Sequence, residues 1–164
     1  MIVFGGPFWE SAHPPGGNRK LMAKILIMHT NKFLQMLYVV ELAPEGYEIL
    51  LARNGHEAVK EIQGSAPDLV VVAVPRSKTS GFSELIKALR ERPDLPFVLQ
   101  ATLPVVDSGI WPRDIFARQK YDLSLLKGLI RDLLKNGMPE QQRSRSLDAL
   151  ELVNERLETL GDGG

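Results

Sequence analysis

A histidine and a threonine follow an unbroken apolar run early in the sequence. His29 and Thr30 come directly after residues 25–28, a run typical of a strand that is buried on both faces. Ligands bind at the carboxyl ends of such strands in parallel α/β proteins, so an imidazole and a hydroxyl there could form a site. The alternative is that both side chains cap the strand and hydrogen-bond locally, since a lone histidine is a weak signal.

Three basic residues could add positive charge to the same edge, namely Arg76, Lys78 and Arg118. Such charge attracts anions such as a phosphate or a nucleotide, although a solvated rim is the competing interpretation. Residues 28–33 contain no glycine, which excludes a phosphate-cradling loop and a dinucleotide fingerprint at that point. The sequence offers no Ser-His-Asp candidate and no His, Asp and Glu cluster at metal-binding spacing. We therefore expect no cofactor and no metal.

The elements that must position these residues alternate regularly between residues 24 and 101. Strands are predicted at residues 25–28, 49–52, 69–74 and 97–101. Helical spacing of apolar residues separates them: first Phe33, Leu34, Leu37, Val40 and Ala43, then Ala58, Val59 and Ile62, then Phe82, Leu85, Ile86 and Leu89. Strands and helices in alternation predict an α/β fold with a parallel sheet covered on both faces.

The pattern weakens after residue 101. A short strand is predicted near residues 115–117, followed by the strongest amphipathic helix of the chain, which ends at Gly137. We predict three segments. Residues 1–21, rich in Gly and Pro, form a flexible N-terminal extension, residues 22–137 form the domain, and residues 138–164 form a polar linker and a helix from Leu147.

Composition narrows the class of protein. The 164 residues are 44% hydrophobic and 24% charged, which is an ordinary globular balance. Twenty basic residues offset twenty acidic ones, so no strong net charge favours nucleic acid or anionic lipid. The chain has no cysteine, and no apolar run approaches the length that spans a bilayer. We expect a cytoplasmic protein that binds neither nucleic acid nor membrane.

Several segments in unbroken order carry a family resemblance over residues 23–136. Residues 24–31 (KILIMHTN) and 67–74 (PDLVVVAV), the latter continued to Ser80-Gly81, resemble the first and third strands of response regulator (CheY-like) receiver domains. Gly46-Tyr47-Glu48, Asn54-Gly55, Leu95-Pro96-Phe97-Val98 and Tyr121-Asp122-Leu123 fit further elements of that family. The resemblance implies a flavodoxin-like, doubly wound five-stranded sheet of order 2-1-3-4-5, with the site at the carboxyl ends of the strands.

The resemblance also implies a chemistry that these residues do not match. Family members use a phosphoacceptor Asp on the third strand and two acidic residues that hold Mg²⁺, a hard ion that prefers carboxylate oxygens. Here Ala73 occupies the phosphoacceptor position and His29 and Thr30 occupy the acidic pair. Ala101 occupies the Ser or Thr position, with Thr102 beside it. The Lys position falls on Gln119 or Arg118, and Lys120 stands where a Pro is usual.

We therefore expect a degenerate pseudo-receiver that is not an enzyme. It would act in bacterial two-component or phosphorelay signalling through phosphorylation-independent binding of protein partners, with a homodimer as one open alternative. We expect no DNA-binding output domain, since 27 residues follow Gly137 in this sequence. Two other hypotheses stay open: a true receiver that uses a non-standard acceptor such as Thr30 or Thr102, and a small flavodoxin-like nucleotide- or anion-binding protein or enzyme.

Two further segments are candidates for contacts. The segment between the fourth and fifth strands is short, so we expect the family's fourth helix to be reduced or missing. Ile110, Trp111 and Pro112 in that segment are either an interface anchor or a plug over the sheet. In the tail, Leu150, Val153, Leu157 and Leu160 have coiled-coil spacing, but two heptads are too few for an isolated coiled coil. A helix that docks on its own domain or frays is favoured.

Overall fold

A parallel sheet forms the centre of the molecule. The computed structural model describes residues 22–75, 79–101, 116–118 and 123–163. The full strands are β1 (Lys24–Met28), β2 (Glu48–Ala52), β3 (Leu69–Ala73) and β4 (Phe97–Ala101). Each is an almost unbroken apolar run, as expected for strands that are covered on both faces. The predicted parallel α/β fold is confirmed.

The edge beyond β4 is the thinnest part of the sheet. A three-residue segment, β5 (Phe116–Arg118), pairs in parallel with β4, so the order is β2-β1-β3-β4-β5. The described sheet thus has four full strands rather than five, and a short edge segment. The expected loss of the family's fourth helix concerns residues 102–115, which lie outside the described residues, as do residues 1–21.

Among the described residues, five α-helices flank the sheet: α1 (Lys32–Leu42), α2 (Gly55–Ser65), α3 (Phe82–Arg90), α4 (Ser124–Asn136) and α5 (Glu140–Gly163). Asn31 caps α1, because its side-chain oxygen accepts from the amides of Phe33 at 2.8 Å and Leu34 at 3.1 Å. A 3₁₀ turn at Ala43–Glu45 ends that helix before Gly46. In the described ranges, no helix is both long and apolar enough to cross a membrane.

The helices divide between two apolar clusters, one on each side of the sheet. The α1–α4 face holds residues such as Ile27, Val71 and Val98. The α2–α3–α5 face holds Leu26, Val70 and Leu99, since alternate strand residues point to opposite faces. Met138, between α4 and α5, packs against both clusters, because the chain passes around the sheet there.

The start of α2 and the start of α3 approach each other closely. A Cβ atom on Gly55 would overlap the carbonyl group of Gly81, and one on Gly81 would overlap the backbone of His56. Gly81 also has a φ of +78°, a conformation that favours glycine. The amide of His56 donates to the carbonyl of Ser80 at 3.2 Å, which joins the two turns. The Ser80-Gly81 pair therefore positions the start of α3 against the start of α2.

The C-terminal region corrects one prediction. Residues 138–146 were expected to be a polar linker, but α5 begins at Glu140 and buries Arg143 and Ser146. Their polar side chains give no helical apolar period, although both are buried. The expected docking of the tail on its own domain is observed, since Leu150, Val153 and Leu157 are buried. The proposed three-segment division of the chain stays a prediction.

Candidate functional site

The carboxyl edge of the sheet brings together the ends of β1, β3 and β4. Met28 pairs in register with Val72, and Ala73 pairs with Gln100. His29 therefore follows β1 beside the end of β3, where Ala73 lies, and Gln100 lies on the other side of Ala73. This edge unites three of the predicted positions, namely those of His29, Ala73 and Ala101. The side chain of Ala101 is outside the described set.

His29 is held by hydrogen bonds to its neighbours. The imidazole Nδ1 accepts from the amide of Asn31 at 2.9 Å, and the backbone amide of His29 donates to the carbonyl of Ala52 at 2.9 Å. The carbonyl of His29 accepts from Nε2 of Gln35 at 2.9 Å. The local hydrogen bonding that was the alternative for His29 is thus observed. Thr30, the next residue, is exposed.

A buried polar pair lies beside this edge and was not predicted. The Tyr38 hydroxyl of α1 donates to Oε1 of Gln100, and both side chains are almost completely buried. Burial raises the pKa of Tyr38, so the phenol stays a neutral donor. The ring of His29 lies 5.7 Å from that of Tyr38. The sequence contains one signal of this pair: Gln100 is an amide within the otherwise apolar fourth strand.

The amide nitrogen of Gln100 is not satisfied by the described part of the chain. Its Nε2 is buried without a hydrogen-bond partner among the described residues. Gln35 is better satisfied, because its Nε2 donates to the carbonyl of Ala52 at 3.1 Å as well as to that of His29. The polar groups described at this edge are therefore neutral amides, a phenol and an imidazole, together with the exposed Thr30.

This donor set does not fit the magnesium ion that the resemblance implies. Mg²⁺ takes carboxylate oxygens and water in octahedral geometry. In the described part of the chain, no three His, Cys, Asp or Glu side chains form a group that could hold a metal ion. Ala73 contributes a methyl group that is 5% exposed.

Several predicted residues lie outside the described parts of the chain. Of the basic residues, Arg76 and Lys78 are outside them entirely, and only the backbone of Arg118 is described. The remaining predicted positions also lie entirely outside the described residues: Thr102, Ile110, Trp111, Pro112, Gln119 and Lys120. The anion site, the interface and the Lys position stay predictions.

Comparison with known proteins favours one family. No protein-family model matches the chain. Curated relatives do: the chain is 27% identical over 116 residues to the probable transcriptional regulator ycf27 of Cyanophora paradoxa, a match over 68% of this chain and 48% of that protein. It is 33% identical over 69 residues to the alkaline phosphatase synthesis transcriptional regulatory protein PhoP of Bacillus subtilis, over 42% of this chain and 28% of that protein. The chain thus spans under half the length of these relatives.

A solved structure extends the likeness to a whole domain. The response regulator protein TrrA of Thermotoga maritima, solved in complex with Mg²⁺-BeF, is 28% identical with a TM-score of 0.58. The match covers 68% of this chain and 99% of that one. Together with the parallel sheet and its helices, these comparisons show that the chain is similar to response regulator receiver domains.

Proposed function

We propose that this chain is a pseudo-receiver: a signalling module that binds protein partners without being phosphorylated. The observation that carries the proposal is Ala73, which ends β3 where the resemblance puts the phosphoacceptor. A methyl group can neither attack a phosphoryl donor nor carry the product. The neighbouring polar groups, Gln100 and His29, add no carboxylate for Mg²⁺.

Incubation with a small phosphodonor and Mg²⁺ tests this directly. We expect no acid-labile phosphate on the intact chain, measured by mass spectrometry. Thr30→Ala and Thr102→Ala are the controls for a non-standard acceptor. Incorporation of one phosphate per chain that depends on Mg²⁺ contradicts the proposal, and its loss in either control would identify the acceptor.

A rescue series tests the account of the site. Ala73→Asp alone is expected to stay unphosphorylated, because His29 and Thr30 leave the metal without carboxylates. The matched variant adds His29→Asp and Thr30→Asp to Ala73→Asp. Equal uptake of phosphate by the single and the triple variant would show that our interpretation of positions 29 and 30 is wrong.

The partners are proposed to be proteins, and the surface at Ile110, Trp111 and Pro112 is proposed to bind them. Tryptophan is enriched among interface hot spots, where truncation typically costs about 2 kcal/mol or more. We expect Trp111→Ala to lose partners in a pull-down while it stays folded. A folded Trp111→Ala chain that keeps every partner would end this idea.

Because the relatives are named as transcriptional regulators, the absence of nucleic-acid binding stays a prediction as well.

A further inference from the structure

The outward face of α1 carries a row of large apolar side chains. Phe33, Met36 and Val40 recur at intervals of three and four residues, which places them on one face of the helix. These residues are 86%, 44% and 62% exposed, and we call them the α1 row. Helix α1 buries a different set of residues, which consists of Gln35, Tyr38, Val39 and Leu42. The α1 row is therefore not part of the core.

The size of the α1 row limits what can cover it. One Phe, one Met and one Val at these exposures present roughly 300–400 Å² of apolar surface, close to the largest patch of an ordinary monomer. Each partner of a stable protein complex contributes about 800 Å². The α1 row by itself is therefore too small to hold a second copy of this chain, and it fits a short apolar segment that is already tethered nearby.

The N-terminal residues contain such a segment. Residues 1–9 hold six large apolar side chains, namely Met1, Ile2, Val3, Phe4, Phe8 and Trp9. Residues 10–21 are mostly polar residues, Pro or Gly, a composition typical of a linker. Both stretches lie outside the described ranges. Their sequence supplies an apolar segment and a tether that joins it to the domain.

The tether is long enough to reach the α1 row. The described chain begins at Met22, and the carbonyl of Ala23 accepts from the amide of Glu48 at 2.9 Å. Glu48 follows the 3₁₀ turn that ends α1, so the chain enters the domain near the end of α1 that holds Val40. Phe33 lies about 10 Å further along the helix, at a rise of about 1.5 Å per residue. Residues 10–21 span up to about 40 Å when extended, so residues 1–9 reach the whole row.

We propose that residues 1–9 dock on the α1 row of their own chain. The contact removes apolar side chains of both segments from water, and its free energy grows with the apolar area buried. The tether holds the segment at an effective concentration on the order of millimolar, so a contact too weak to form between separate molecules forms within one. The α1 row is then available to other proteins only when residues 1–9 release it. The proposal does not depend on whether the chain accepts phosphate.

The fluorescence of Trp9 tests the docking in the full chain. Trp111 is the second of two tryptophans, so Trp111→Phe leaves Trp9 as the single emitter. We expect acrylamide to quench Trp9 on the order of threefold less efficiently in this parent chain than after Phe33→Ser, because the tethered segment is mostly bound and its indole is shielded. Leu152→Ser is the matched control, since Leu152 is a 50% exposed leucine of α5, and it should quench as the parent does.

Equal quenching of the parent and the Phe33→Ser chain overturns the proposal. Residues 1–21 would then be the flexible extension that their Gly and Pro content predicts. Equal loss of shielding in the Phe33→Ser and Leu152→Ser chains also overturns it, because the effect would not be specific to the α1 row.

Disulfide cross-linking keeps the proposal testable if Trp111→Phe does not fold. The chain has no cysteine, so a chosen pair can be introduced alone. We expect Val3→Cys with Met36→Cys to form an intramolecular disulfide about tenfold faster or more than Val3→Cys with Leu152→Cys, whose helix packs on the opposite side of the sheet. Equal rates overturn the proposal. Disulfides formed mainly between two chains through Met36→Cys would assign the row to a second copy, which overturns it as well.

Discussion

Gln100 on the α1–α4 face and Arg143 on the α2–α3–α5 face are both almost fully buried, but their surroundings differ. Arg143 reaches three backbone carbonyls and an aromatic ring. Gln100 satisfies its carbonyl oxygen through Tyr38 and leaves its amide nitrogen without a partner among the described residues. The charged group is thus the better satisfied of the two.

The two regions differ in what a buried polar group costs and contributes to stability. Burial lowers the pKa of Arg143, because desolvation disfavours the charged guanidinium. The hydrogen bonds to the three carbonyls must offset this cost. At the carboxyl edge, a neutral amide avoids that cost but stabilises less. We infer that the α3–α5 contact contributes more to stability than the polar pair at the candidate site, and the following variants test that ranking.

Loss of the buried guanidinium should have the largest effect. Arg143→Ala removes the three carbonyl contacts and is expected to lower the free energy of unfolding by about 3 kcal/mol, measured by urea denaturation. Arg145→Ala is the control and should change it by about 0.5 kcal/mol or less. An equal loss in both variants would contradict the anchoring role of Arg143.

The polar pair beside the candidate site should come second. Tyr38→Phe removes the hydrogen bond to Oε1 of Gln100, whose Nε2 has no partner among the described residues, and we expect a loss of about 2 kcal/mol in urea denaturation. Adding Gln100→Leu should restore most of it, because both polar partners are then replaced by apolar groups. If the double variant loses as much free energy of unfolding as the two single variants together, the hydrogen bond does not couple Tyr38 and Gln100.

Removal of the Ser146 hydroxyl, which is buried and has no partner within the described ranges, should act in the opposite direction. Ser146→Ala is expected to raise the free energy of unfolding by about 0.5–1 kcal/mol, since it removes a buried polar group and favours helix. Ser144→Ala, at an exposed position of the same helix, isolates the helix-propensity part. A loss of stability in Ser146→Ala would show that the hydroxyl has a partner.

The exposed ion pair between Arg53 and Glu57 should have the smallest effect on stability. Hydrogen bonds from Arg53 lower the pKa of Glu57 below its usual value, and Glu57 accepts from the Arg53 amide at 2.9 Å. Because the folded pKa is lowered, this stabilisation is present above the unfolded pKa of about 4.3 and is lost as the pH falls through the folded value. Glu57→Gln should cost about 0.5 kcal/mol at pH 7. A difference from wild type that persists below about pH 3 would contradict this account.

The sequence by itself determined the strands and the existence of most helices. Apolar runs such as residues 69–73 are too hydrophobic to face water, so any fold must bury them, and alternation with helices leaves a parallel sheet as the solution. The third strand, predicted over residues 69–74, ends one residue earlier, at Ala73. These inferences rest on local period and composition, which the chain carries without tertiary contacts.

Only the tertiary structure decided which face each helix buries and where polar groups are satisfied. In α1, the spacing suggested Phe33 and Val40 as core residues, yet they are 86% and 62% exposed. The helix turns Gln35 and Tyr38 inward instead, because their acceptors lie on the strand ends. The local pattern likewise predicts a linker at Arg143, which is buried in α5. Hydrogen-bond partners about fifty residues away, such as Leu95, are invisible to a local pattern and decide the burial of a polar side chain.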